Sequence, residues 1–299
     1  MGSLFVIIAG SLWGAMGIFV RGLSQCGLTS IEICLVRMVV AVLMMSVYFV
    51  CFDRNSLKIK VKDIWVFVGT GVFSLTFFGY CYFTTIQMMS MSVAAVLLYT
   101  SPVFVLVLSA ILFKERMTNR KIICVIIAII GCAFVTGLVS GIISGNMSGI
   151  SLAGILFGLG SGLGYGLYSI FGRFAINKGY RPLTITFYSF LFSAVALLFI
   201  TKPIVVCQKL LTGNVAINSA YVIGTAIVVT ILPYIFYTLG LTKVENSKAA
   251  VMACVEPIMA TFFGFIVFHE VLSLVEIVGV ALVLLAIGLL NMKEKSGDN

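Results

Sequence analysis

A single glutamate lies in the middle of a long apolar run of this sequence. Glu256 is about ten residues into the segment SKAAVMACVEPIMATFFGFIVFHE, which covers 247–270. A carboxylate at the centre of a bilayer costs about 2.5 to 3.5 kcal/mol unless it is paired or faces water. We therefore expect Glu256 to face the interior of a helical bundle and to bind an amine or carry a proton. The alternative is a structural carboxylate beside a kink at Pro257.

Arg37 is a second charge inside an apolar run, in the segment LVRMVVAVLMM. With a rise of about 1.5 Å per residue, its predicted depth in the bilayer is close to that of Glu256. A pair between Arg37 and Glu256 and contact with a substrate carboxylate are both open. Pairing with Glu32, five residues earlier, and capping of backbone carbonyls are equally open. With so few charges in the membrane, a multi-anionic solute would lack counter-ions.

Aromatic residues that carry polar atoms form the third candidate set. Their ring faces attract amines or stack against rings, and their hydroxyls need partners when buried. Interfacial belts are the alternative, which suits Tyr48 and Tyr221 better. Ser101, in the slot that corresponds to Glu256, and Thr85 would add hydrogen bonds. The residues expected to line a cavity are Trp13, Tyr80, Tyr82, Tyr99, Tyr168 and Tyr237.

Other chemistries find little support in the residue pattern. The eight cysteines are scattered without a C-x-x-C spacing, and His269 is the single histidine, so we predict no metal site and no cofactor. The segment GLGSGLGYG lacks the third glycine of a dinucleotide fingerprint, and no strand precedes it. Gly158, Gly162 and Gly166 recur at four-residue spacing, which favours a helix-packing face. An enzyme is the least expected class.

The elements that position these residues must span a membrane. The 299-residue chain is 61% hydrophobic and 10% charged, with a mean hydropathy of +1.20. A helix needs about 20 apolar residues to cross a hydrocarbon core of roughly 30 Å. The fold class predicted is an all-α integral membrane protein with ten transmembrane helices. The segments are 3–23, 31–52, 64–88, 92–113, 119–139, 151–176, 183–201, 218–241, 247–268 and 273–291.

Positive charges are concentrated in alternate loops. The loops after predicted helices 2, 4, 6 and 8 and the tail hold most of the Lys and Arg, whereas the other loops hold little beyond Arg21, Lys202 and Lys209. Such asymmetry predicts cytoplasmic N and C termini and a lipid bilayer as partner, with no role for nucleic acid. The basic residues on the predicted cytoplasmic side are Arg54, Lys58, Lys60, Lys62, Lys114, Arg116, Arg120, Lys121, Arg173, Lys178, Arg181, Lys243, Lys248, Lys293 and Lys295.

The sequence repeats itself after five predicted helices. A shift of 155 residues places the stretch 92–115 on 247–270, so Pro102 corresponds to Pro257 and Glu115 to Glu270. Near the start of each half a shift of 152 pairs Gly14 with Gly166 and Arg21 with Arg173. Because five is odd, the second unit must enter the membrane in the opposite orientation, as in secondary transporters. We predict units 1–142 and 143–299, the latter with a short cytoplasmic tail, joined by the Gly/Ser-rich linker 137–149.

These features together resemble the drug/metabolite transporter superfamily, in particular its ten-helix EamA-type branch. The residues that carry the resemblance are Trp13-Gly14, Arg37, the stretch 101–116, Gly131 and the stretch 256–270. The resemblance implies a basket-like bundle with a central cavity, alternating access, and export of amino acids or related metabolites. In the second half Tyr165 replaces Trp13 and Ser189 replaces Arg37. The repeat is therefore least symmetric at polar positions, where a substrate would bind.

The leading hypothesis is a multi-pass secondary transporter of the inner or plasma membrane. It would move a small neutral or zwitterionic metabolite, such as an amino acid or related amine, and the resemblance implies export. Proline and glycine residues would shape its moving helices, namely Pro102, Pro257, Gly14 and Gly166. The alternatives are proton-coupled uptake of a cationic amine such as a choline-like compound, a lipid-carrier flippase component, and a scaffold without transport. A monomer is expected, with protons as the candidate coupling ion.

Overall fold

The computed structural model of the protein describes residues 1–143, 145, 151–270 and 273–292. Within those ranges the regular structure is entirely helical. Residues 144 and 146–149 of the predicted linker and the tail with Lys293 and Lys295 lie outside the described residues. The α-helices are α1 (Gly2–Gly14), α2 (Met16–Ser24), α3 (Ser30–Phe52), α4 (Ile64–Val68), α5 (Phe77–Met88), α6 (Met91–Leu98), α7 (Ser101–Phe113), α8 (Asn119–Val135), α9 (Leu138–Ile143), α10 (Leu152–Asn177), α11 (Pro182–Ile200), α12 (Pro203–Leu210), α13 (Val215–Ala226), α14 (Leu232–Leu241), α15 (Asn246–Ala253), α16 (Val255–Phe268) and α17 (Leu274–Asn291).

Nine helical stretches of the described chain are long and apolar enough to cross a membrane. Each of them coincides with one of the predicted segments, because a backbone in lipid must satisfy its hydrogen bonds within the helix. Some of these stretches contain a short segment of wider or tighter helix, which does not end the span. The stretches are Gly2–Ser24, Ser30–Phe52, Val61–Met88, Met91–Phe113, Leu152–Asn177, Pro182–Ile200, Val215–Leu241, Asn246–Phe268 and Leu274–Asn291.

The remaining predicted segment, 119–139, forms a shorter helix than expected. Helix α8 has 17 residues and ends at Val135, after which the chain bends at Gly137, whose φ is +76°. Glycine adopts this left-handed conformation without the steric cost that a side chain brings, and it commonly ends helices. Seventeen residues reach roughly 26 Å, slightly less than a typical hydrocarbon core of about 30 Å.

Two of the spans that are divided into shorter helices have their break directly before a turn that contains proline. Helix α6 ends at Leu98 and α7 begins at Ser101, while α15 ends at Ala253 and α16 begins at Val255. Pro102 and Pro257 fall in the first turn of α7 and α16, where the missing N–H costs no intrahelical hydrogen bond. Each break thus places a helix N-terminus inside the bundle.

Glycines allow neighbouring helices to approach closely. A Cβ added to Gly162 of α10 would lie 2.8 Å from the carbonyl oxygen of Leu97 in α6, and one added to Gly158 would meet the Leu97 side chain. At Gly14 of α1, the added atom would lie 2.9 Å from the carbonyl oxygen of Glu256 in α16. The predicted packing face of α10 is therefore confirmed, and a similar contact seats α1 on the helix that carries Glu256.

Helices α8 and α17 form the most extensive helix pair of the described chain. A Cβ added to Gly279 would lie 2.6 Å from the backbone nitrogen of Val135 and 2.8 Å from the carbonyl oxygen of Gly131. Without a hydrophobic driving force between helices in lipid, such backbone contact supplies the van der Waals energy that holds them together. Gly131, noted in the sequence, thus has a packing role.

One end of the bundle, which we call the basic end, carries Lys121, Arg173 and Lys178. Lys178 Nζ lies 2.6 Å from the Asp63 carboxylate, and Lys121 Nζ lies 3.0 Å from Glu245. Arg173 Nε donates to Asn246 Oδ1 at 2.9 Å. These contacts join α4, α8, α10 and α15 at one level of the bundle.

The first and last described helices also meet at the basic end. Ser3 Oγ donates to Asn291 Oδ1 at 3.0 Å, and a Cβ added to Gly2 would lie 2.7 Å from Lys243 Cβ. Both ends of the helical chain therefore lie on the same side of the bundle.

The opposite end carries fewer charges. Arg21 Nη2 lies 2.7 Å from Glu270, and Lys209 Nζ lies 2.7 Å from Glu32. Glu32 also completes a capping box with Thr29 at the start of α3. Between the two ends the outer surface is apolar, with Leu4, Ile126 and Phe265 among its exposed side chains. A belt of this kind suits contact with lipid.

Candidate functional site

Glu256 lies in the first turn of α16, directly after the break at Cys254. Its carboxylate accepts a hydrogen bond of 2.8 Å from the Tyr165 hydroxyl of α10. The side chain is partly buried, and within the described residues no cation lies within 4 Å of it. A negative charge at a helix N-terminus is favoured by the helix dipole. The structure therefore orients Glu256 by one hydroxyl and one helix end, and leaves it free of a counter-ion.

Aromatic rings from three helices, α1, α10 and α14, meet beside this carboxylate. The ring centroid of Trp13 in α1 lies 6.0 Å from that of Tyr165, 5.0 Å from Tyr234 and 5.4 Å from Tyr237. Tyr168 is 5.0 Å from Tyr234. Edge-to-face contacts of this kind hold large rings in fixed positions.

Hydroxyl bonds fix two of these tyrosines further. Tyr168 and Thr238 share a hydrogen bond of 2.9 Å, and Tyr237 and Ser169 share one of 2.7 Å. These bonds hold both side chains in place at the cavity wall. A rigid wall of ring faces attracts ammonium groups.

The cluster surrounds a small cavity with room for roughly one water molecule. A metabolite would therefore fit only after the surrounding helices move apart. The residues that line this central cavity are Trp13, Ser74, Leu75, Phe78, Tyr165, Tyr168, Tyr234 and Tyr237.

Arg37 is buried in α3, with 5% of its surface exposed. Its Nη1 donates to Met16 Sδ at 3.7 Å, and its Nε has no hydrogen-bond partner. The alternative pairing with Glu32 is not formed, because Glu32 bonds to Lys209 and Thr29. Within the described residues Arg37 thus lacks a carboxylate partner, a costly state for a buried cation.

Comparison with known proteins places this arrangement in a family. The pattern of the EamA-like transporter family matches residues 1–137 and 152–292. The chain belongs to the EamA-like transporter family. It is therefore a multi-pass membrane protein of the drug/metabolite transporter superfamily, and transport rather than enzyme catalysis is its class of activity. The resemblance stated from the sequence is confirmed.

Two relatives of this EamA-like chain are both named "Uncharacterized transporter" and come from Archaeoglobus fulgidus. One is 27% identical over 286 residues, which is 95% of each chain. The other is 26% identical over 203 residues, which is 68% of each. A solved structure titled "Crystal structure of protein" matches with a TM-score of 0.78 and 14% identity, covering 97% of this chain and 96% of that one. At 14% identity, this match shows similarity of fold alone.

Four residues proposed from the sequence of this EamA-like transporter lie at or beside the central cavity. Trp13, Tyr168 and Tyr237 line the central cavity, and Glu256 joins it through Tyr165. The other proposed residues do not line this cavity.

Tyr82 and Tyr99 lie within electrostatic range of Glu256 without lining the cavity. Tyr99 occupies the break between α6 and α7, and Ser101 begins α7 as a buried residue. Thr85 donates to the Cys81 carbonyl of its own helix at 2.8 Å, so its hydroxyl is already used. Tyr80 is misplaced in the prediction, because 51% of it is exposed and its ring packs on Phe157 at the outer surface.

The sequence interpretation missed several residues of the site. Tyr165 was noted only as the counterpart of Trp13, yet it holds Glu256. Tyr234 was not proposed, although it precedes Tyr237 by three residues and must share its helix face. Ser74 and Phe78 lie in and beside a wide helical turn, Gly69–Thr76, that sequence periodicity does not reveal. The usable signal in the sequence was the position of Tyr234 one helical turn before the proposed residue Tyr237.

A larger cavity of about 360 Å³ lies at the basic end, away from Glu256. Glu245 lies between Lys121 and Lys248 in its wall, at 3.0 and 3.2 Å. Partial burial acts to raise the pKa of Glu245, but the two ammonium groups outweigh burial and lower it. Because Lys121 and Lys248 share Glu245 as their ion-pair partner, we assign this cavity to the surface between helix ends. The central cavity is the better candidate site.

Proposed function

We propose that this EamA-like protein is a secondary transporter of zwitterionic metabolites, amino acids or closely related amines, that works by alternating access. We propose two five-helix units of opposite orientation, 1–142 and 143–299, in an inner or plasma membrane with both termini in the cytoplasm. Export is proposed from the family resemblance alone.

Chain geometry supports ten crossings. The hydrogen bond between Ser3 and Asn291 holds both ends of the helical chain on one side, which requires an even number of crossings. Nine long stretches are odd in number, so the shorter α8 is the natural tenth. Its close packing on α17 compensates for its length, since local thinning or tilt of neighbours costs only fractions of a kcal/mol per Å.

The proposed substrate class rests on two charges of opposite sign, each of which lacks a counter-ion within the described residues. Neither Arg37 nor Glu256 forms a salt bridge of 4 Å or less with any described residue. A zwitterion placed between them would give its carboxylate to Arg37 and its ammonium to Glu256 and the ring faces. Two buried charges would then each gain a partner, which repays the desolvation of both.

A second candidate is a cationic amine without a carboxylate. The ring faces of Trp13, Tyr234 and Tyr237, together with Glu256, supply the features that bind ammonium and quaternary ammonium groups. In that case Arg37 would repel the substrate and would act only as a structural cation. The two candidates therefore differ in the sign of the Arg37 contribution.

The test uses three matched ligands on the purified full chain in lipid nanodiscs: an amino acid, its decarboxylated amine and its deaminated acid. Binding is measured by thermal stabilisation, and flux by counterflow in proteoliposomes. We expect the amino acid to bind at least about tenfold more tightly than either analogue, since a hydrogen bond to a charged group contributes roughly 1.5 to 3 kcal/mol.

Variants separate the two charges. Arg37→Gln should weaken binding of the amino acid and leave the amine unaffected, whereas Glu256→Gln should weaken both. Glu276→Gln serves as the control, because this carboxylate caps its own helix at Ser273, far along the chain from the cavity. Tighter binding of the amine by Arg37→Gln would favour the second candidate. Absence of flux for every member of a metabolite library would remove the transport proposal.

A further inference from the structure

Helices α7 and α16 end in the same unusual way. Each is followed by a residue in the left-handed conformation, Lys114 with φ 55° and His269 with φ 56°. The next residue in each case is a glutamate, whose N–H donates back to the helix: Glu115 to the Ser109 carbonyl and Glu270 to the Gly264 carbonyl. The repeat predicted from the sequence thus extends to the backbone that aims the two carboxylates.

Glu115 caps a helix of the other half of the chain. Its carboxylate accepts hydrogen bonds from Asn246 N at 2.9 Å, Ser247 N at 3.3 Å and Ser247 Oγ at 2.7 Å. The residue before α15, Glu245, makes no capping bond with its own side chain. The first turn of α15 therefore takes its cap from the end of α7, and this contact closes the basic end.

Glu270 has the matching position at the opposite end but a different partner. The residues that correspond to Asn246 and Ser247 are Met91 and Ser92, at the start of α6. In the described structure Glu270 bonds to neither of them and instead lies 2.7 Å from Arg21. The first turn of α6 is held by its own Ser90, which accepts from Val93 N.

Helix packing shows the same asymmetry. Helix α7 packs along α15, whereas the corresponding pair, α16 and α6, makes little contact. Arg173 corresponds to Arg21, and it lies beside the closed contact, where it donates to Asn246. The basic end of the bundle is therefore closed by the α7–α15 contact, and the opposite end lacks its counterpart.

We propose that Glu115 and Glu270 are reciprocal gate residues, each of which caps the first turn of a helix in the opposite half in only one of two states. In the state seen here, Glu115 caps α15 and Glu270 is held by Arg21. In the other state, Glu270 leaves Arg21 to cap α6 at Met91 and Ser92, and Glu115 releases α15. This inference rests on the alternating access proposed above.

We expect the two proposed states to have similar free energies. The same carboxylate contacts are made once in each state, so the gain at one end offsets the loss at the other. The Arg21–Glu270 ion pair is half exposed, with 55% and 53% of the two side chains accessible. Exposed pairs contribute little stability, so this one is easily given up.

Hydrogen exchange of the purified full chain in nanodiscs, without any solute, tests the proposal. Two peptides are followed: the first turn of α15 (246–249) and the first turn of α6 (91–94). In the wild type, the α15 turn should exchange more slowly than the α6 turn. Glu115→Gln and Ser247→Ala should each speed exchange in the α15 turn by about tenfold, the size of effect expected for a lost cap, and should slow exchange in the α6 turn.

The decisive variant is Ser92→Ala, because it is silent in the structure seen here. Ser92→Ala removes a hydroxyl that Glu270 does not contact, so a single-state protein would show no change at α15. Under the proposal, Ser92→Ala and Glu270→Gln both weaken the other state and therefore slow exchange in the α15 turn. Glu276→Gln is the control, since it affects only the α17 cap.

Two outcomes would overturn the gate. One is faster exchange at α15 in Ser247→Ala with no change at α6, which would make Glu115 a static cap. The other is no effect of Ser92→Ala or Glu270→Gln at α15. Reciprocal exchange without flux for any solute would instead sustain the gate and remove the transport proposal, so the two failures are distinguishable.

Discussion

Glu256 and Arg37 are the two charges of the candidate site, and neither has an oppositely charged partner within 4 Å among the described residues. Each lies in a helix surrounded by apolar side chains, and each has a neutral partner, the Tyr165 hydroxyl and the Met16 sulfur. Neutral partners orient a charge without neutralising it. Both charges consequently keep most of their capacity to bind a ligand of opposite sign.

The hydroxyl of Tyr165 is predicted to act through Glu256. Tyr165→Phe should weaken amino acid binding by about tenfold, because the carboxylate loses the single hydrogen bond that orients it. In a Glu256→Gln background the same change should have little further effect, which a double-mutant cycle measures. Tyr168→Phe is the matched control, since its hydroxyl bonds to Thr238. Additive losses would show that Tyr165 contacts the ligand independently.

Glu245 gives a pH dependence with a definite sign. Its lowered pKa means that the folded protein binds a proton at Glu245 less readily than the unfolded chain, so its ion pairs stabilise the fold above the ordinary carboxyl value of 4.5. That contribution is lost as pH falls through the lowered pKa. It should be about 1 kcal/mol or less, because the side chain is 41% exposed. Melting temperatures between pH 7 and pH 3.5 should fall more for the wild type than for Glu245→Gln, and parallel curves would contradict this.

At the scale of elements, the fold depends on close helix contacts and on broken helices. Glycines 14, 162 and 279 each lie against backbone atoms of a partner helix. The breaks before Ser101 and Val255 place helix N-termini in the interior, and one of them carries Glu256. Half-helices of this kind allow one end of a span to move while the other stays packed.

The pair α8–α17 is predicted to be sensitive to a single methyl group. Gly279→Ala should destabilise the protein by about 1 to 3 kcal/mol, since the new Cβ would overlap backbone atoms of Val135 and Gly131, which cannot rotate away. Gly288→Ala in the same helix is the control, because nothing lies within 4 Å of its added Cβ. Thermal unfolding in nanodiscs measures both. Equal melting temperatures for the two variants would contradict the assigned contact.

At the scale of the whole molecule, the two ends differ in charge and in closure. The basic end holds the contacts of Lys121, Arg173 and Glu115, and the helix ends there are joined. The opposite end has the exposed Arg21–Glu270 pair. The difference in charge predicts the orientation in the membrane, and under our proposal the closed contact marks one of two states.

The orientation is testable with reporter fusions. A fluorescent protein fused after residue 299 should fold and fluoresce, because positively charged loops and the tail remain in the cytoplasm. A phosphatase fused after residue 142, at the end of five predicted crossings, should be active on the other side. A phosphatase fused after residue 58, in the basic loop, is the control and should be inactive. The reverse pattern would invert the proposed topology.

Much of this protein follows directly from its sequence. Continuous apolar runs dictate spanning helices, because unsatisfied backbone groups cannot remain in lipid, and nine of ten predicted segments appear as such helices. The charged outliers Glu256 and Arg37 identified the interior. Tyr234 and Ser74 escaped prediction, since an apolar run gives no periodic contrast that tells an inward face from a lipid-facing one.

By itself, then, the sequence determined the membrane fold, the family, the repeat and the charges that must avoid lipid, because each is a property of composition or of residue order. Only the tertiary structure decided which rings surround Glu256, that Arg37 has no carboxylate partner, and that Glu115 holds a helix while Glu270 does not. Those are contacts between residues up to 249 positions apart, as for Arg21 and Glu270. Their distances depend on how helices pack, and packing brings the equivalent residues Glu115 and Glu270 to different partners.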